Sequence, residues 1–288
     1  MTVTLVGKGN ANILISNDDP FWLYRCCIKY PDSIRQCNEY TYSNIQFINA
    51  CIRSLLGDLV CPMTLVEVPV DAISIVYKNY VNIDYRDSDV IVCLKIPNLR
   101  PSKKYSIMVQ SDHLTKIYTT NDNSSVLLEI KPKWLHYPTP YCRNCTDNSR
   151  KNRDIIYCYS ELLKDIDQLK LILKTEMHEK IPKGFIEIIE KYFMDKENVL
   201  HKLHDVQKSL YCHYRDKTQS KDNNDISDLQ ILMTLRDVSC FIQWDKDMLS
   251  ITDLKINIVD VDLKSVDKLP HWIQTQTILN KYESKIVH

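Results

Sequence analysis

Hydrophobic residues come in short blocks through the first third of the chain and at helical spacing through much of the rest. "TVTLV" (2–6) and "NILIS" (12–16) read as short strands around the turn "GKGNA" (7–11), and "FWLYRCCIKY" (21–30) reads as a third. In "SNIQFINACIRSLLG" (43–57), Ile45, Ile48, Ile52, Leu55 and Leu56 recur with the period of a helix, and Gly57 supplies a stop. "VIVCLKIPNL" (90–99) and "KYSIMVQ" (104–110) are further strands, so the first ~110 residues are strand-rich with one clear helix.

"SVLLEIKPKW" (125–134) opens the second half as a half-buried strand. Alternate residues of a strand share a face, which puts Glu129, Lys131 and Lys133 together, stiffened by Pro132. Residues 141–158 are Cys-rich and irregular; Ser160 to about Leu210 is helical, interrupted at Pro182 and Gly184. "KTQSKDNND" (217–225) is a polar loop and "ISDLQILMTL" (226–235) a short helix. "VSCFIQW" (238–244) and "KINIVDVDL" (255–263) form a hairpin. There are no internal repeats.

Composition narrows the partners. The chain has 288 residues, 44% apolar and 26% charged, enough for two lobes or one large domain. With 37 basic and 37 acidic residues the formal net charge is zero, so bulk charge predicts neither a nucleic-acid nor a membrane partner. A highly anionic ligand would need a local positive site. The start "MTVTLVGKGN" lacks a basic segment followed by an apolar one, and no apolar run approaches the ~18 residues of a membrane span. Eleven cysteines, an odd number, fit reduced thiols with room for one metal site better than a disulfide framework.

Four constellations could carry chemistry. Two of only four glycines, Gly7 and Gly9, sit in the first turn, where backbone N–H groups can approach phosphates; a plain hairpin turn fits as well. Arg25 on the next strand could reach the same phosphates or simply face solvent. An Arg-Asp pair, Arg236–Asp237, precedes the hairpin, and Asp260 and Asp262 end it. That is the layout of a catalytic base followed by a Mg²⁺ ligand in phosphoryl transfer, although strand-end carboxylates can also be merely solvated. Lys131 and Lys133 would repel one another on one face unless an anion lay between them, although an exposed edge strand would also tolerate them. Cys142 and Cys145 have C-x-x-C spacing, with Cys158 in reach. They suit a structural Zn²⁺ with His136 as fourth ligand, and ordinary reduced thiols fit equally.

"GKGNANILI", "WLYRCCIKYPD", "LEIKPKWL", "YCRNCT", "MTLRDVSCFIQW" and "IVDVDLK", in this order and spanning nearly the whole chain, resemble the inositol-pentakisphosphate 2-kinase family, its fungal branch most closely. The resemblance implies an α+β, divergent protein-kinase-like fold of two lobes: residues 1–115 for the nucleotide, residues 116–288 for the inositide and catalysis. It implies ATP-dependent, Mg²⁺-assisted phosphorylation of the 2-hydroxyl of inositol 1,3,4,5,6-pentakisphosphate, giving the hexakisphosphate, phytate. It also implies a monomer in the nucleus or cytoplasm. Carried over by motif, Gly7, Lys8, Gly9, Asn10, Ala11 and Asn12 cover the ATP phosphates and Arg25 contacts them. Ser111 and His113 fall at the adenine hinge, and Glu129 at the ribose. Lys131 and Lys133 face phosphates at the active site. Asp237 matches the catalytic base and Asp260 the Mg²⁺ ligand, with Asp262 secondary; Lys264, Lys268 and Trp272 grip the inositide. Departures exist: plant relatives have Tyr where Trp272 stands and a His/Cys zinc set in the C-terminal half that has no counterpart here. A further inositide-binding lysine of theirs has only Lys151 and Arg153 as neighbours here. The alternatives are another small-molecule or protein kinase of the same architecture, or a zinc-stabilised binding module without activity. The D-F-G of protein kinases is missing, since "VDVDLK" lacks the Phe and the Gly.

Overall fold

A computed structural model of the protein describes residues 3–83, 87–174, 180–219 and 227–288. Thr2 of the first expected strand, residues 220–225 of the expected polar loop and Ile226 of the helix after it lie outside the described residues. The described chain is α+β and divides into two compact units, Met1–Pro101 and Ser102–His288, each with its own antiparallel sheet. Among the described residues no helix is long and apolar enough to cross a membrane.

In the first unit the strands are β1 (Thr4–Lys8), β2 (Asn12–Ser16), β3 (Trp22–Cys27), β4 (Thr64–Pro69) and β5 (Val90–Pro97), ordered β1-β2-β3-β5-β4. The expected helix is present but begins earlier: α1 (Ile34–Phe47) starts at Ser33, whose hydroxyl accepts from the Gln36 N–H. A π-helical turn (Ile48–Ile52) and α2 (Arg53–Leu56) continue it to Gly57, whose φ of 58° ends it. The early turns escape a hydrophobicity reading because polar Asn38 and Thr41 are buried there, the Thr41 hydroxyl donating to Cys37 O at 3.0 Å. Asn38 donates to Val90 O and accepts from Val92 N–H, at 2.9 and 2.8 Å, tying α1 to β5. A further helix, α3 (Val70–Tyr77), sends the Tyr77 hydroxyl to Cys27 O at 2.8 Å.

The second unit holds β6 (Ile107–Ser111), β7 (Thr115–Thr119), β8 (Ser125–Ile130), β9 (Ser239–Asp245) and β10 (Lys255–Val259), ordered β10-β9-β8-β7-β6. β9 and β10 pair in register as the predicted hairpin, Lys255 opposite Gln243 through Val259 opposite Ser239. β8 is central rather than half-buried: all six of its residues are buried, because it is paired on both sides. The Cys-rich stretch is not irregular throughout, since α4 (Arg143–Arg150) forms within it. The helical segment, of which residues 175–179 lie outside the described residues, resolves into α5 (Tyr159–Leu162), α6 (Gln168–Leu173), α7 (Lys183–Met194) and α8 (Val199–Gln219). Pro182 starts α7 rather than merely interrupting it. Gly184 lies inside that helix, where a Cβ would meet the Trp244 ring at 3.2 Å. α9 (Ser227–Leu235) and α10 (Leu269–Lys281) complete the unit.

Candidate active site

β8 ends at Ile130, and the chain then changes course. The Lys131 N–H adds one more bond, to Leu114 O at 2.8 Å, Pro132 is buried, and Lys133 takes a left-handed φ of 58°. The alternation that would put Lys131 and Lys133 on one strand face therefore stops before either lysine. Lys133 turns instead to Asp237, Nζ to Oδ1 2.5 Å, and Lys264 reaches the other carboxylate oxygen at 2.7 Å. Asp237 sits in the tight turn between α9 and β9, its N–H bonded to Thr234 O at 3.0 Å. Burial acts to raise its pKa, but the attraction of Lys133 and Lys264 outweighs this and holds the carboxyl below the usual range.

One buried side chain joins these pieces. Gln207 of α8, fully inaccessible, accepts from the N–H groups of Leu135 and His136 at 3.0 and 3.1 Å. Its amide donates to Lys133 O and Leu235 O at 3.0 and 3.1 Å. The loop carrying Lys133 and the turn carrying Asp237 are thus fixed to the same helix.

Asp237 opens onto a cavity of about 330 Å³ whose walls include seven lysine and arginine side chains, Lys133, Arg143, Lys151, Arg153, Arg236, Lys264 and Lys268, against two carboxylates, Asp147 and Asp237. His113 and Trp272 also line it. Trp134 is stacked between two guanidiniums, Arg143 at 3.6 Å and Arg236 at 3.7 Å from the ring centroid. Arg236 is 4% exposed; its Nη2 donates to His136 O at 3.3 Å, while its buried Nε has no hydrogen-bond partner. Burial, then the neighbouring Arg143, lowers the pKa of Arg236 to about 9; burial lowers that of Arg143 to about 10. Burial and then Arg153 and the nearby lysines also lower that of His113. Confined positive charge without matching carboxylates is costly unless an anion supplies the balance.

The structure therefore gathers Asp237, Lys133, Lys264, Lys268, Trp272 and His113 around one cavity, and adds Lys151 and Arg153, which the sequence offered only as neighbours. Arg143 and Arg236 were missed as cavity-lining groups, although they lie inside the C-x-x-C and Arg-Asp motifs. Lys131 is not among the lining residues. Ser111 and Glu129 lie in one row across the second sheet, each opposite Lys116, whose ammonium meets Glu129 at 3.3 Å. Asp260 follows β10 with a left-handed φ of 62°, and its Oδ2 accepts from the Ser239 hydroxyl at 2.9 Å. The carbonyl of Asp262 accepts from Thr234 at 2.9 Å.

In the first unit, the turn Gly7–Asn12 closes with Gly9 N–H on Asn12 O at 2.8 Å, and Lys8 Nζ stands 4.8 Å from the Tyr80 ring. Neither Gly7 nor Gly9 is left-handed, and an added Cβ would meet its nearest neighbour at an ordinary 3.7 or 3.5 Å. The turn itself does not require glycine. Arg25 on β3 pairs in register with Leu14 and Leu94.

The cysteine expectation holds in part. Cys142, Cys145 and Cys158 converge, but the imidazole beside them is His288, not His136. His136 is held back by Gln207 and packs its ring against His204 and Tyr211, centroids 5.7 and 5.6 Å away.

Comparison with known proteins agrees with the motifs. The profile of the inositol-pentakisphosphate 2-kinase family matches residues 6–183 and 147–277. An inositol-pentakisphosphate 2-kinase of Candida glabrata is 42% identical over 287 residues, 99% of each chain. Those of Saccharomyces cerevisiae and Kluyveromyces lactis are 39% and 36% identical, each over 99% of this chain and 98% and 97% of their own. The chain belongs to the inositol-pentakisphosphate 2-kinase family.

Proposed function

We propose that the protein transfers the γ-phosphoryl group of ATP to the 2-hydroxyl of inositol 1,3,4,5,6-pentakisphosphate, giving inositol hexakisphosphate and ADP. The observation that carries this reading is the cavity: seven cations and two carboxylates in a chain of zero net charge, with Asp237 in its wall. Such a surplus suits a ligand carrying several phosphates far better than a protein hydroxyl or a neutral sugar.

In this reading the inositide phosphates draw Lys133 and Lys264 away from Asp237, together with Arg143, Lys151, Arg153, Arg236 and Lys268, while Trp272 packs beside the ring. Freed of its ion pairs, Asp237 orients the 2-hydroxyl and takes its proton as the new O–P bond forms. The bond from the γ-phosphorus to its bridging oxygen breaks, and ADP leaves with that electron pair. Lys131, close enough for its charge to lower the pKa of His113, stabilises charge on the moving phosphoryl group. Asp260 and, secondarily, Asp262 would hold Mg²⁺; the exposed Asp260 carboxylate is a hard oxygen donor with one oxygen engaged by Ser239. Bound there, Mg²⁺ supplies charge neutralisation on the nucleotide phosphates.

The remaining assignments rest on the family. Gly7–Asn12 and Arg25 serve the ATP phosphates, which gives glycines not needed by their own turn a use. Ser111 and His113 serve the adenine and Glu129 the ribose. The fold is a divergent kinase of two lobes, divided functionally near residue 115, working as a monomer in the nucleus or cytoplasm. The test is incubation with ATP, Mg²⁺ and a panel of inositol phosphates, followed by separation and positional analysis of the products. The expected result is conversion of the 1,3,4,5,6-pentakisphosphate to hexakisphosphate. No transfer to it, or preferred transfer to another acceptor, would overturn the reading.

A further inference from the structure

We propose that Cys142, Cys145, Cys158 and His288 form a structural Zn²⁺ site that fastens the segment after α10 to the start of α4. The four donor atoms all lie within 4.8 Å of one another. Cys142 and Cys158 Sγ are 3.6 Å apart, and Cys145 Sγ is 3.1 Å from His288 Nε2. Tetrahedral zinc, with Zn–S near 2.3 Å and Zn–N near 2.0 Å, separates its ligands by roughly 3.5–3.8 Å. The cluster brackets that spacing, and adjustments of about an ångström would complete it.

The donor set is chemically specific. Three thiolates and an imidazole are soft-to-borderline ligands that favour Zn²⁺ over Mg²⁺ or Ca²⁺. Four protein ligands leave no open position, so the site is structural rather than catalytic. A disulfide is a poor account of the same sulfurs: 3.6 Å is far beyond an S–S bond of about 2.05 Å, and it would leave a third thiol and a histidine gathered for no purpose. Cys142 stands at the N-cap position of α4 and Cys145 in its first turn, so one short helix start presents both sulfurs.

Hydrogen bonds already hold the surroundings. Ser160 Oγ is 2.9 Å from Cys158 Sγ. The Cys142 N–H donates to Ile286 O at 2.8 Å, and the Ile286 N–H donates to Thr146 Oγ1 at 3.1 Å. His288 is thus delivered by a segment bonded on both sides to the turn that carries two of the cysteines. Between those two lie Arg143 and Asn144, which line the cationic cavity, and His271, Trp272 and Thr275 of α10 line it too. The metal would join two elements of that wall. Its existence does not rest on what the cavity binds.

Untagged full-length protein, prepared without chelator, should contain one zinc per chain by elemental analysis. His288→Ala, an exposed change that leaves the core intact, should drop the zinc content to near zero or weaken retention against a competing chelator by at least tenfold, and lower the melting temperature. His136→Ala should retain its zinc. Co²⁺ exchanged into the wild type should show the visible bands of a tetrahedral thiolate-rich site, and these should weaken or be lost in His288→Ala. Zinc-free wild type that stays zinc-free after titration with the metal would overturn the proposal, as would a Cys142–Cys158 disulfide found by mass spectrometry. Retention of zinc with unchanged strength in His288→Ala would overturn the ligand set. A negative kinase assay would bear on none of these readouts.

Discussion

Asp237 holds two ion pairs in a wall rich in cations, so its replacement should separate chemistry from folding. Asp237→Asn keeps the shape and removes the proton acceptor. Single-turnover phosphoryl transfer should fall on the order of 10²–10⁴-fold, while the melting temperature stays near the wild-type value. Turnover at the wild-type rate would exclude Asp237 as the base. His136 gives a pH signature. Its burial, then His204 and Arg236, lower its pKa from the ordinary 6.5 to about 4, and its Nε2 is buried without a hydrogen-bond partner. The unfolded chain therefore binds this proton first as pH falls. Stability is intact above pH 6.5 and declines between 6.5 and about 4. Denaturation midpoints across that interval should slope less in His136→Phe than in the wild type; equal slopes would assign the acid sensitivity elsewhere.

Among the elements, α8 matters most for one side chain. Gln207 makes four backbone hydrogen bonds to two loops that the sequence separates by about a hundred residues. Gln207→Leu fills similar space but strips partners from two N–H and two C=O groups. At ~1–3 kcal/mol for each buried group left unsatisfied, partly relieved by relaxation, a loss on the order of 3 kcal/mol is expected. Catalysis should suffer as well at temperatures where the variant is still folded, because Lys133 and Asp237 lose their common anchor. Chemical denaturation and kcat on the same preparation would check both. A variant as stable and active as the wild type would show that the loops hold themselves.

For the whole molecule, zero net charge and a concentrated cationic wall make a distinct prediction. Pentakisphosphate affinity, measured calorimetrically, should weaken by roughly tenfold or more between about 0.05 and 0.5 M salt, as screening shortens the reach of the wall's field. Lys264→Ala should flatten that dependence, and equal slopes in the two proteins would remove Lys264 from the site. The same separation of local from global charge explains what the sequence disclosed. The hairpin β9–β10, the strands β1–β3 and the Arg-Asp turn were legible because each is written in a short, continuous pattern. The opening turns of α1 were hidden by buried Asn38 and Thr41, which look like surface residues until Asn38 is seen bonded to β5 and the Thr41 hydroxyl to Cys37 O of its own helix. The strand-face argument for Lys131 and Lys133 failed because nothing local signals the left-handed turn at Lys133. His288 could not be preferred over His136, since its approach to Cys145 spans 143 positions. Arg143 and Arg236 were inconspicuous for a similar reason: only folding brings both onto Trp134.

That stacked tryptophan gives the protein an optical voltmeter. An indole excited state shifts its electron density across the ring, so its emission energy follows the local electric field. Trp134 sits between two like charges, Arg143 and Arg236, in a wall where seven cations face two carboxylates. A polyanion arriving in the cavity would add a field with a component along the ring plane. Occupancy could then be followed in unlabelled protein, with Trp272 as the second emitter in the same wall.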